Sequence, residues 1–488
     1  MLRVPAYASI VRVIAIGFGL LLVAVTSASG ARMQAQSVRV TQKALGVSLP
    51  AHGYPAGSFD KVACPSLGRC VASFGGPLVL SERGGKWRRD AVPSSVFLNS
   101  LACPTPGSCA STARARGSLS VYVVTKSGQS WRKSVVELPG NLDPSKTYPV
   151  LLSVSCGSPG NCSAVGSYQT FKPGEIRTHA LLVDEKDGTW SPGFDAQLPP
   201  DAATAPDVNG QGPGGEASVV SCPSAGNCAA LGSYDVLVGD LNLSAGWVAT
   251  EQVGHWAPAV RVQLRGKPLA AEHLAFTAVS CPSVGNCTAV GGSGAPGGGG
   301  EGLILQERKG VWLQAIPAPL PRGGEVANAP NSFEIPLFSV SCGAADDCGA
   351  IGAYVKKGQK SSPGTYHGWL LAERHGNWSA SALVLPRNAK GAGMVFLHQV
   401  DCPARGTCVA VGSYNRHGTG QPLLVIERGG KWQRAVNVAL PSDAAEPARR
   451  HAGLESVSCA SASRCTIVGT YNSKARKVRG LILSLRLR

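Results

Sequence analysis

Apolar and polar positions along this chain alternate in short runs, and the runs are separated by Gly, Pro, Ser and Asn. One apolar run, 302–305, leads through Gly310 to Trp312, and an alternating segment follows the Trp. Runs of this length with a two-residue period predict β-strands bounded by turns. No heptad pattern and no three-residue Gly period is sustained, which excludes a coiled coil and collagen.

The cysteines show that these runs belong to a repeat. All 16 Cys fall into eight pairs with the spacing C-x5-C, and similar text surrounds most pairs, such as S-V-S-C, P-G-N-C and A-V-G-S-Y within 153–168. The pairs recur about every 56 residues, which is a period typical of repeat architectures. The pairs are Cys64 with Cys70, Cys103 with Cys109, Cys156 with Cys162, Cys222 with Cys228, Cys281 with Cys287, Cys342 with Cys348, Cys402 with Cys408, and Cys459 with Cys465.

Each repeat is predicted to form four strands, a to d. Strand a ends at the first Cys, strand b starts at the second, strand c is the apolar run, and strand d starts at a Trp. Four short strands in each of several repeats are typical of β-propeller blades. The predicted blade cores are Cys64–Trp87, Cys103–Trp131, Cys156–Trp190, Cys222–Trp256, Cys281–Trp312, Cys342–Trp378, Cys402–Trp432 and Cys459–Arg488.

The two ends of the repeat region complement each other. The eighth repeat stops after strand c, at 480–488, with no Trp and no strand d, whereas 37–50 resembles the strand d segment 432–441. We therefore predict an all-β chain forming a single propeller of eight four-stranded blades, in which 37–50 completes the last blade and removes two exposed sheet edges. Other repeat counts and two half-rings are the alternatives.

The first residues have the pattern of a targeting segment. Arg3 and Arg12 precede the uncharged apolar stretch 13–25, and small residues follow at 26–31. This predicts a signal peptide at 1–31 and a mature propeller at 32–488, secreted or associated with the cell envelope. A retained membrane anchor is the alternative.

Export changes the interpretation of the cysteines, because thiols pair in an oxidising compartment. A five-residue gap suits a hairpin turn with the two sulfurs facing across paired strands. Zinc sites usually need four ligands, and no His accompanies these pairs. We expect eight hairpin disulfides, no metal and no cofactor, with metal binding or redox chemistry as the alternative.

With these motifs in view, the chain resembles the secreted bacterial β-propeller-type repeat proteins whose blades carry S-C-P-S-x-G-N-C-x-A-V-G. The resemblance covers nearly everything after residue 37. Residues 125–131, T-K-S-G-Q-S-W, also resemble an Asp-box, S/T-x-D-x-G-x-x-W, although Ser127 replaces the Asp. The resemblance implies a fold only, because propellers host many unrelated activities.

Charge points to a binding role. The chain carries 46 Lys and Arg against 29 Asp and Glu. In an antiparallel blade the b–c and d–a loops lie on one face, and those loops hold most of the variation between repeats, which is where a rigid scaffold usually binds. The expected ligand-binding residues are the basic ones in the b–c loops: Arg114, Arg116, Lys356, Lys357, Lys474, Arg476, Lys477 and Arg479.

These features predict an exported, monomeric binding or scaffold protein whose basic loop face meets an anionic polysaccharide, another envelope polymer or a protein. Nucleic acid is not an expected partner, because the chain is exported and shows no known nucleic-acid module. A membrane is expected as a partner only if the signal segment is retained.

The alternative function is a carbohydrate-active hydrolase or lyase with its site on the same loop face. It requires acids or histidines to converge there. The candidates are Asp201, Asp207, Asp235, Asp240, Glu272, His179, His273, His367, His398, His417 and His451. The commoner role of such scattered side chains is surface or packing, so no catalytic residue is assigned.

Overall fold

The computed structural model describes residues 40–49, 60–75, 77–93, 96–115, 117–172, 175–206, 212–239, 241–266, 273–294, 300–326, 336–358, 366–389, 392–449 and 451–488. The described residues all belong to one compact unit, Arg39–Arg488. The predicted signal peptide lies outside them. In this part of the chain, no helix has the length and apolar character needed to cross a bilayer.

The described chain forms eight antiparallel sheets, one for each Cys pair, which confirms the predicted eight-bladed propeller. Blades are numbered here in the order of their Cys pairs. The strands of blades 1 and 2 are Lys61–Ala63, Val71–Phe74, Leu78–Arg83 and Lys86–Arg89, then Val96–Leu98, Ala102–Thr105, Ser108–Ala115, Val121–Ser127 and Ser130–Val135. In blade 2 the first two segments together form strand a.

Blades 3 to 5 have long strands a to c and a short strand d in two pieces. Blade 3 consists of Val150–Ser158, Asn161–Lys172, Glu175–Lys186, Thr189–Trp190 and Phe194–Asp195. Blade 4 consists of Gly215–Ser224, Asn227–Val238, Leu241–Gln252, His255–Trp256 and Val260–Arg261. Blade 5 consists of His273–Ser283, Asn286–Gly294, Gly300–Arg308, Val311–Trp312 and Ile316–Pro317.

The last three blades follow the same order. Blade 6 consists of Gly324–Glu325, Leu337–Ala344, Asp347–Lys356, His367–Arg374 and Asn377–Ala382, and blade 7 of Ala392–Ala404, Thr407–Arg416, Thr419–Arg428 and Lys431–Trp432. Blade 8 consists of Ala452–Ser461, Arg464–Asn472, Val478–Leu487 and, from the other end of the chain, Val40–Ser48. Three 3-10 turns, Pro139–Asn141, Pro144–Lys146 and Pro447–Arg449, are the described helical segments.

The ring closes as predicted. Val40–Ser48 is the outer strand of blade 8 and pairs antiparallel with strand c, from Val40 opposite Leu487 to Ser48 opposite Arg479. Blade 8 also packs on blade 1, where Val468 and Ile482 share a core with Val62 and Leu80. The first described strand therefore joins the last one in a single sheet and pairs the edge that strand c would otherwise expose.

All eight C-x5-C pairs form disulfides that link strands a and b across the hairpin, with Cα–Cα distances of 3.8–4.1 Å. The bonds join Cys64 to Cys70, Cys103 to Cys109, Cys156 to Cys162, Cys222 to Cys228, Cys281 to Cys287, Cys342 to Cys348, Cys402 to Cys408, and Cys459 to Cys465. No cysteine is free.

The second Cys of every pair is buried, so these residues belong to the core. Cys70, Cys109, Cys162, Cys228, Cys287, Cys348, Cys408 and Cys465 are each at most 5% exposed. Each second Cys lies on or beside strand b, whose side of the blade is covered by a neighbouring sheet, as Cys228 is packed against blade 3. A disulfide in this position stabilises the hairpin, and its sulfurs are shielded from solvent.

The predicted strand limits at the cysteines were off by one or two residues. In blade 3 strand a does not end at Cys156 but continues to Ser158. Strand b does not start at the second Cys: in blades 2 to 8 it starts one residue earlier, as Ser108 precedes Cys109, and in blade 1 it starts one residue after Cys70. The strands extend further because the turn between them is only two residues long, as at 159–160.

This tight turn requires glycine. Gly160 has a φ of 74°, a conformation that costs little only without a side chain. A Cβ at this position would also lie 2.9 Å from the backbone N of Gly188. The Gly of the repeated G-N-C text is therefore a requirement of the hairpin.

The Gly of the repeated V-G motif is explained by a bulge in strand a. The register skips Leu152 between Leu151 and Ser153, and strand a thereby approaches strand b so closely that a Cβ on Gly166 would lie 1.9 Å from the carbonyl oxygen of Val150. Bulges redirect the side chain of the extra residue. The residues at this bulge in blades 3 to 8 are Leu152, Ser218, Thr277, Phe338, His398 and Glu455.

The Ser before the first Cys joins each blade to the next. Ser155 Oγ accepts a hydrogen bond of 2.9 Å from the Cys222 backbone N–H. The equivalent bond from a Cys backbone N–H is accepted by Ser221, Ser280, Ser341 and Ser458. In blade 7 Asp401 takes this place and accepts from Cys459 N–H at 2.6 Å. Blades 1 and 2 have Ala at this position.

The repeated Trp side chains connect blades as well. The indole N–H of Trp131 donates to Asp90 of the preceding blade at 2.8 Å, Trp256 to Asp184 at 2.9 Å, and Trp432 to the Leu371 carbonyl at 3.1 Å. Each bond crosses a blade interface, so these three Trp side chains act as packing anchors between neighbouring sheets.

Candidate functional site

The predicted basic residues lie at the b–c ends of three blades. Arg114 is near the end of strand b in blade 2. Lys356 ends strand b of blade 6 and Lys357 follows it, and the b–c turn of blade 8 contains Lys474, Arg476 and Lys477. Arg116 lies outside the described residues. Because blades 7 and 1 intervene, the structure does not bring these three groups together into one contact.

Most of these side chains are exposed and carry uncompensated charge. Lys356, Lys357, Lys474, Arg476 and Lys477 are exposed, and none of the five forms an ion pair with a residue that the structure describes. Arg479 differs, because its guanidinium bonds to Asp443 at 3.1 Å and to Ser48 Oγ at 3.1 Å. Its charge is therefore used largely within blade 8.

Blade 7 supplies a basic residue that sequence analysis missed. Arg416 ends strand b of blade 7, at the same b–c end. Blades 6, 7 and 8 are consecutive, so basic residues occupy the b–c ends of three neighbouring blades. We call this set the basic arc: Lys356, Lys357, Arg416, Lys474, Arg476 and Lys477. The signal was present in the sequence, because Arg416 immediately precedes the b–c turn that starts at His417.

Of the candidate acids on the loop face, the structure describes Asp201 and Asp235. Asp201 Oδ1 accepts from the Tyr234 hydroxyl at 2.8 Å, and Asp201 also pairs with Arg261, so its role is structural. Asp207, Asp240 and Glu272 lie outside the described residues.

One histidine on the loop face does join a chain of polar groups. In blade 3, Thr170 Oγ1 lies 2.9 Å from His179 Nε2, and His179 Nδ1 lies 3.4 Å from Asp195 Oδ2. The ring of Tyr168 stacks on His179 at 4.6 Å, and its hydroxyl donates to Asp195 at 2.8 Å. His179 and Asp195 line a cavity of about 290 Å³ between blades 3 and 4. The order hydroxyl, imidazole, carboxylate is that of an activated nucleophile.

A second polar cluster lies where strands a of blades 7, 8 and 1 meet. The bulge residues His398 and Glu455 bond to each other at 3.1 Å, and Glu455 acts electrostatically on Asp60 and Lys61. Burial raises the pKa of Asp60 to about 7, against a hydrogen bond from Gly75 N–H. Burial alone would lower the pKa of His398, but the bond and charge of Glu455 reverse this and raise it. Within this cluster Glu455 attracts His398 and repels Asp60.

A large cleft lies on the opposite face, where the disulfide turns lie. It has a volume of about 1100 Å³ between blades 3 and 4, with Trp190 and Trp256 in its walls. Its carboxyls include Asp184, Glu185 and Glu251. Burial raises the pKa of all three, and for Glu251, where Asp184 adds repulsion, the pKa reaches about 7.

The equivalent cleft between blades 8 and 1 has the opposite charge. It measures about 560 Å³, and Lys43, Arg464 and Arg486 surround Glu82 in its lining. Sequence analysis missed both clefts, because each is built from two blades, and neighbouring blades are about 60 residues apart in sequence or at opposite ends of the chain. No group of three metal-ligating side chains is found among the residues described.

Comparison with known proteins identifies no family. No protein-family model matches the chain, and no curated protein matches it. The kinship to the S-C-P-S-x-G-N-C proteins and to Asp-box proteins therefore stays a prediction.

Solved structures do resemble it at low identity. A structure of a prolyl endopeptidase has 14% identity and a TM-score of 0.44, over 86% of this chain and 54% of that one, so this chain spans about half of its length. The WD40 domain of SCAP from fission yeast has 7% identity and a TM-score of 0.42, over 91% and 98% of the two chains. The GH74 xyloglucanase from Xanthomonas campestris has 12% identity and a TM-score of 0.38, over 90% and 74%. Likenesses at this level carry no conclusion about activity.

Proposed function

We propose that this protein is an exported binding protein whose basic arc on the b–c face holds an anionic polymer bearing phosphate or carboxylate groups. The observation that supports this most directly is the set of exposed cations, without acidic partners among the described residues, at the b–c ends of blades 6 and 8, with Arg416 of blade 7 between them. Eight disulfides fit an extracytoplasmic setting, where such polymers occur.

The arrangement favours a long ligand over a small one. The cations stand on separate hairpins of a rigid ring, so a small anion meets one hairpin at a time, whereas a polymer meets several. Exposed cations attract anions mainly through long-range fields, which salt screens. Arg114 of blade 2 lies two blades beyond the arc and extends the positive surface for a chain that crosses blade 1.

The test is binding of polygalacturonate and of inorganic polyphosphate to the mature protein, in about 50 mM and about 300 mM salt. We expect the triple variant K474Q/R476Q/K477Q to lose roughly tenfold in affinity at low salt. The matched control is K86Q/R88Q/R89Q, which removes the same charge from exposed residues of strand d in blade 1. An equal loss of affinity in both variants, or an affinity that does not change with salt concentration, would contradict the proposal.

The second candidate is a carbohydrate-active hydrolase, supported by the Thr170, His179 and Asp195 chain on the loop face. With this geometry, His179 would take the proton of the Thr170 hydroxyl while Asp195 holds the ring. Such a group suits cleavage of an ester on a glycan. We expect H179Q and T170V each to abolish release of acetate from acetylated xylan while leaving polymer binding unchanged. Equal acetate release by wild type and both variants would reject the hydrolase candidate and would leave the proposed polymer-binding function unaffected.

A further inference from the structure

The cleft between blades 3 and 4 contains a position that two other interfaces fill with arginine. In most blades a buried Glu pairs with the Trp of strand d and faces the preceding blade; Glu251, Glu373 and Glu427 are 5%, 1% and 1% exposed. A buried carboxylate needs a compensating cation or hydrogen bonds.

Blades 5 and 6 each provide that cation to the next blade. Arg308 follows the strand c Glu of blade 5 and forms an ion pair with Glu373, and Arg374 stands at the same place in blade 6 and forms an ion pair with Glu427. Gln306 adds a hydrogen bond of 2.7 Å to Glu373. The fold therefore has a defined place for a guanidinium group beside this Glu.

Between blades 3 and 4 no arginine occupies this place. The residue equivalent to Arg308 is Lys186, which is exposed. It acts on Glu251 through its charge but forms no ion pair with any residue that the structure describes. The residue equivalent to Gln306 is Asp184, so a second carboxyl replaces a neutral amide. Glu251 is buried, has no hydrogen bond from its side chain to a described residue, and lines the cleft.

The cleft also has rigid walls suited to a flat cation. Asp184 is held by Ser163 Oγ at 2.7 Å and by the indole N–H of Trp256 at 2.9 Å. The rings of Trp190 and Trp256 lie in its lining, and Trp rings attract cations above their faces. Planar guanidinium groups bind carboxylates with two parallel hydrogen bonds and stack on aromatic rings, which a compact ammonium group does less well.

From this comparison between the repeats, we propose that the blade 3/4 cleft binds the guanidinium group of an arginine side chain carried by a peptide or protein partner. The group takes the place beside Glu251 and Asp184 that Arg308 and Arg374 occupy at their own interfaces. The cleft of about 1100 Å³ exceeds what a guanidinium fills, so it has room for the flanking residues of a peptide.

Charge in the cleft sets the expected pH dependence. Four carboxyls, of Asp184, Glu185, Asp187 and Glu251, face one lysine, Lys186, and one histidine, His255, in its lining. With a pKa of about 7, Glu251 gains its negative charge as pH rises through neutrality. Affinity for a cation is therefore expected to rise between about pH 6 and about pH 8.

The experiment is calorimetric titration of the mature protein with the blocked peptide Ac-Gly-Arg-Gly-NH2, with its lysine and citrulline analogues, and with cellotetraose. We expect binding in the order arginine, lysine, citrulline, with the last at least roughly tenfold weaker. Agmatine, which has no peptide groups, separates a small-molecule ligand from a peptide ligand; agmatine as tight as the peptide would overturn the peptide assignment. Cellotetraose binding without a response to the arginine peptide would overturn the proposal.

Three variants make the result specific. E251Q is expected to lose binding and its pH dependence, while E307Q, which changes the equivalent Glu at the next interface, keeps both. K186R rebuilds the internal cation of the 5/6 and 6/7 interfaces and is expected to abolish peptide binding, with no loss of thermal stability. Binding retained in K186R would refute the idea that the peptide uses the arginine position of the other interfaces.

Discussion

The most exacting prediction concerns Asp401, the residue that replaces the inter-blade Ser in blade 7. It accepts from Cys459 N–H at the position where Ser155, Ser341 and their equivalents accept in other blades. Burial raises the pKa of Asp401 from 3.8 to about 6, although three hydrogen bonds favour its charged form. Ser at this position keeps the acceptor and removes the buried charge, so D401S is expected to stabilise the ring near neutral pH.

The sign and size follow from proton linkage. Because the folded protein holds this proton more tightly than the unfolded chain does, stability from Asp401 is complete below about pH 3.8 and is lost as pH rises through about 6. A shift of about two units corresponds to roughly 3 kcal/mol. Asp401 is only half-buried, so solvent screening reduces this energy. We therefore expect D401S to raise the free energy of unfolding by about 1–3 kcal/mol above pH 7.

The assay is scanning calorimetry of wild type and D401S across this pH range. If the unit Arg39–Arg488 unfolds as a whole, its unfolding entropy is roughly 0.9 kcal/mol/K, so the expected rise in Tm is about 1–3 °C at pH 8 and near zero at pH 4. The reverse variant S280D should lower Tm at pH 8 and not at pH 4. A Tm difference that does not change with pH would refute the reasoning.

Two further predictions test the fold itself. G166A places a Cβ 1.9 Å from the Val150 carbonyl oxygen and should lower the free energy of unfolding by about 1–3 kcal/mol, measured as a lower midpoint in guanidinium. The control G393A has open space around its Cβ and should stay within about 0.5 kcal/mol of wild type. Equal effects of the two variants would contradict the bulge explanation. Deleting residues 1–49 removes the strand that pairs with Val478–Leu487 and exposes a sheet edge. We therefore expect dimers or aggregates, measured by size-exclusion chromatography with multi-angle light scattering. A stable monomer of unchanged Tm would mean that ring closure adds little to stability.

Much of the architecture was predictable because it is local and repeated. The pairing of Cys156 with Cys162 needs only one hairpin, and the same hairpin recurs in all eight repeats. Ring closure was also predictable, because 37–50 resembles the strand that the last repeat lacks. The purpose of Gly166 was not predictable, since it depends on how closely a bulged strand approaches it.

The candidate sites depend more on tertiary contacts than the blades do. The basic residues of the b–c loops were identified from hairpin order alone, but that Arg479 is paired with Asp443 depends on side chains 36 residues apart. A Glu stands five residues before most of the repeated Trp residues. That Glu251 lacks the arginine that Glu373 and Glu427 have depends on which residue of the preceding blade lies beside it.

Taken alone, the order of residues determined the number of blades, their disulfides and the strand that closes the ring, because each is a short-range pattern that sheet geometry allows in one way. Only the packing of one blade against the next decided which charges are neutralised and which remain without an ion pair. The groups that meet across an interface are about 60 residues apart in sequence, and the ring as a whole sets how neighbouring blades are aligned.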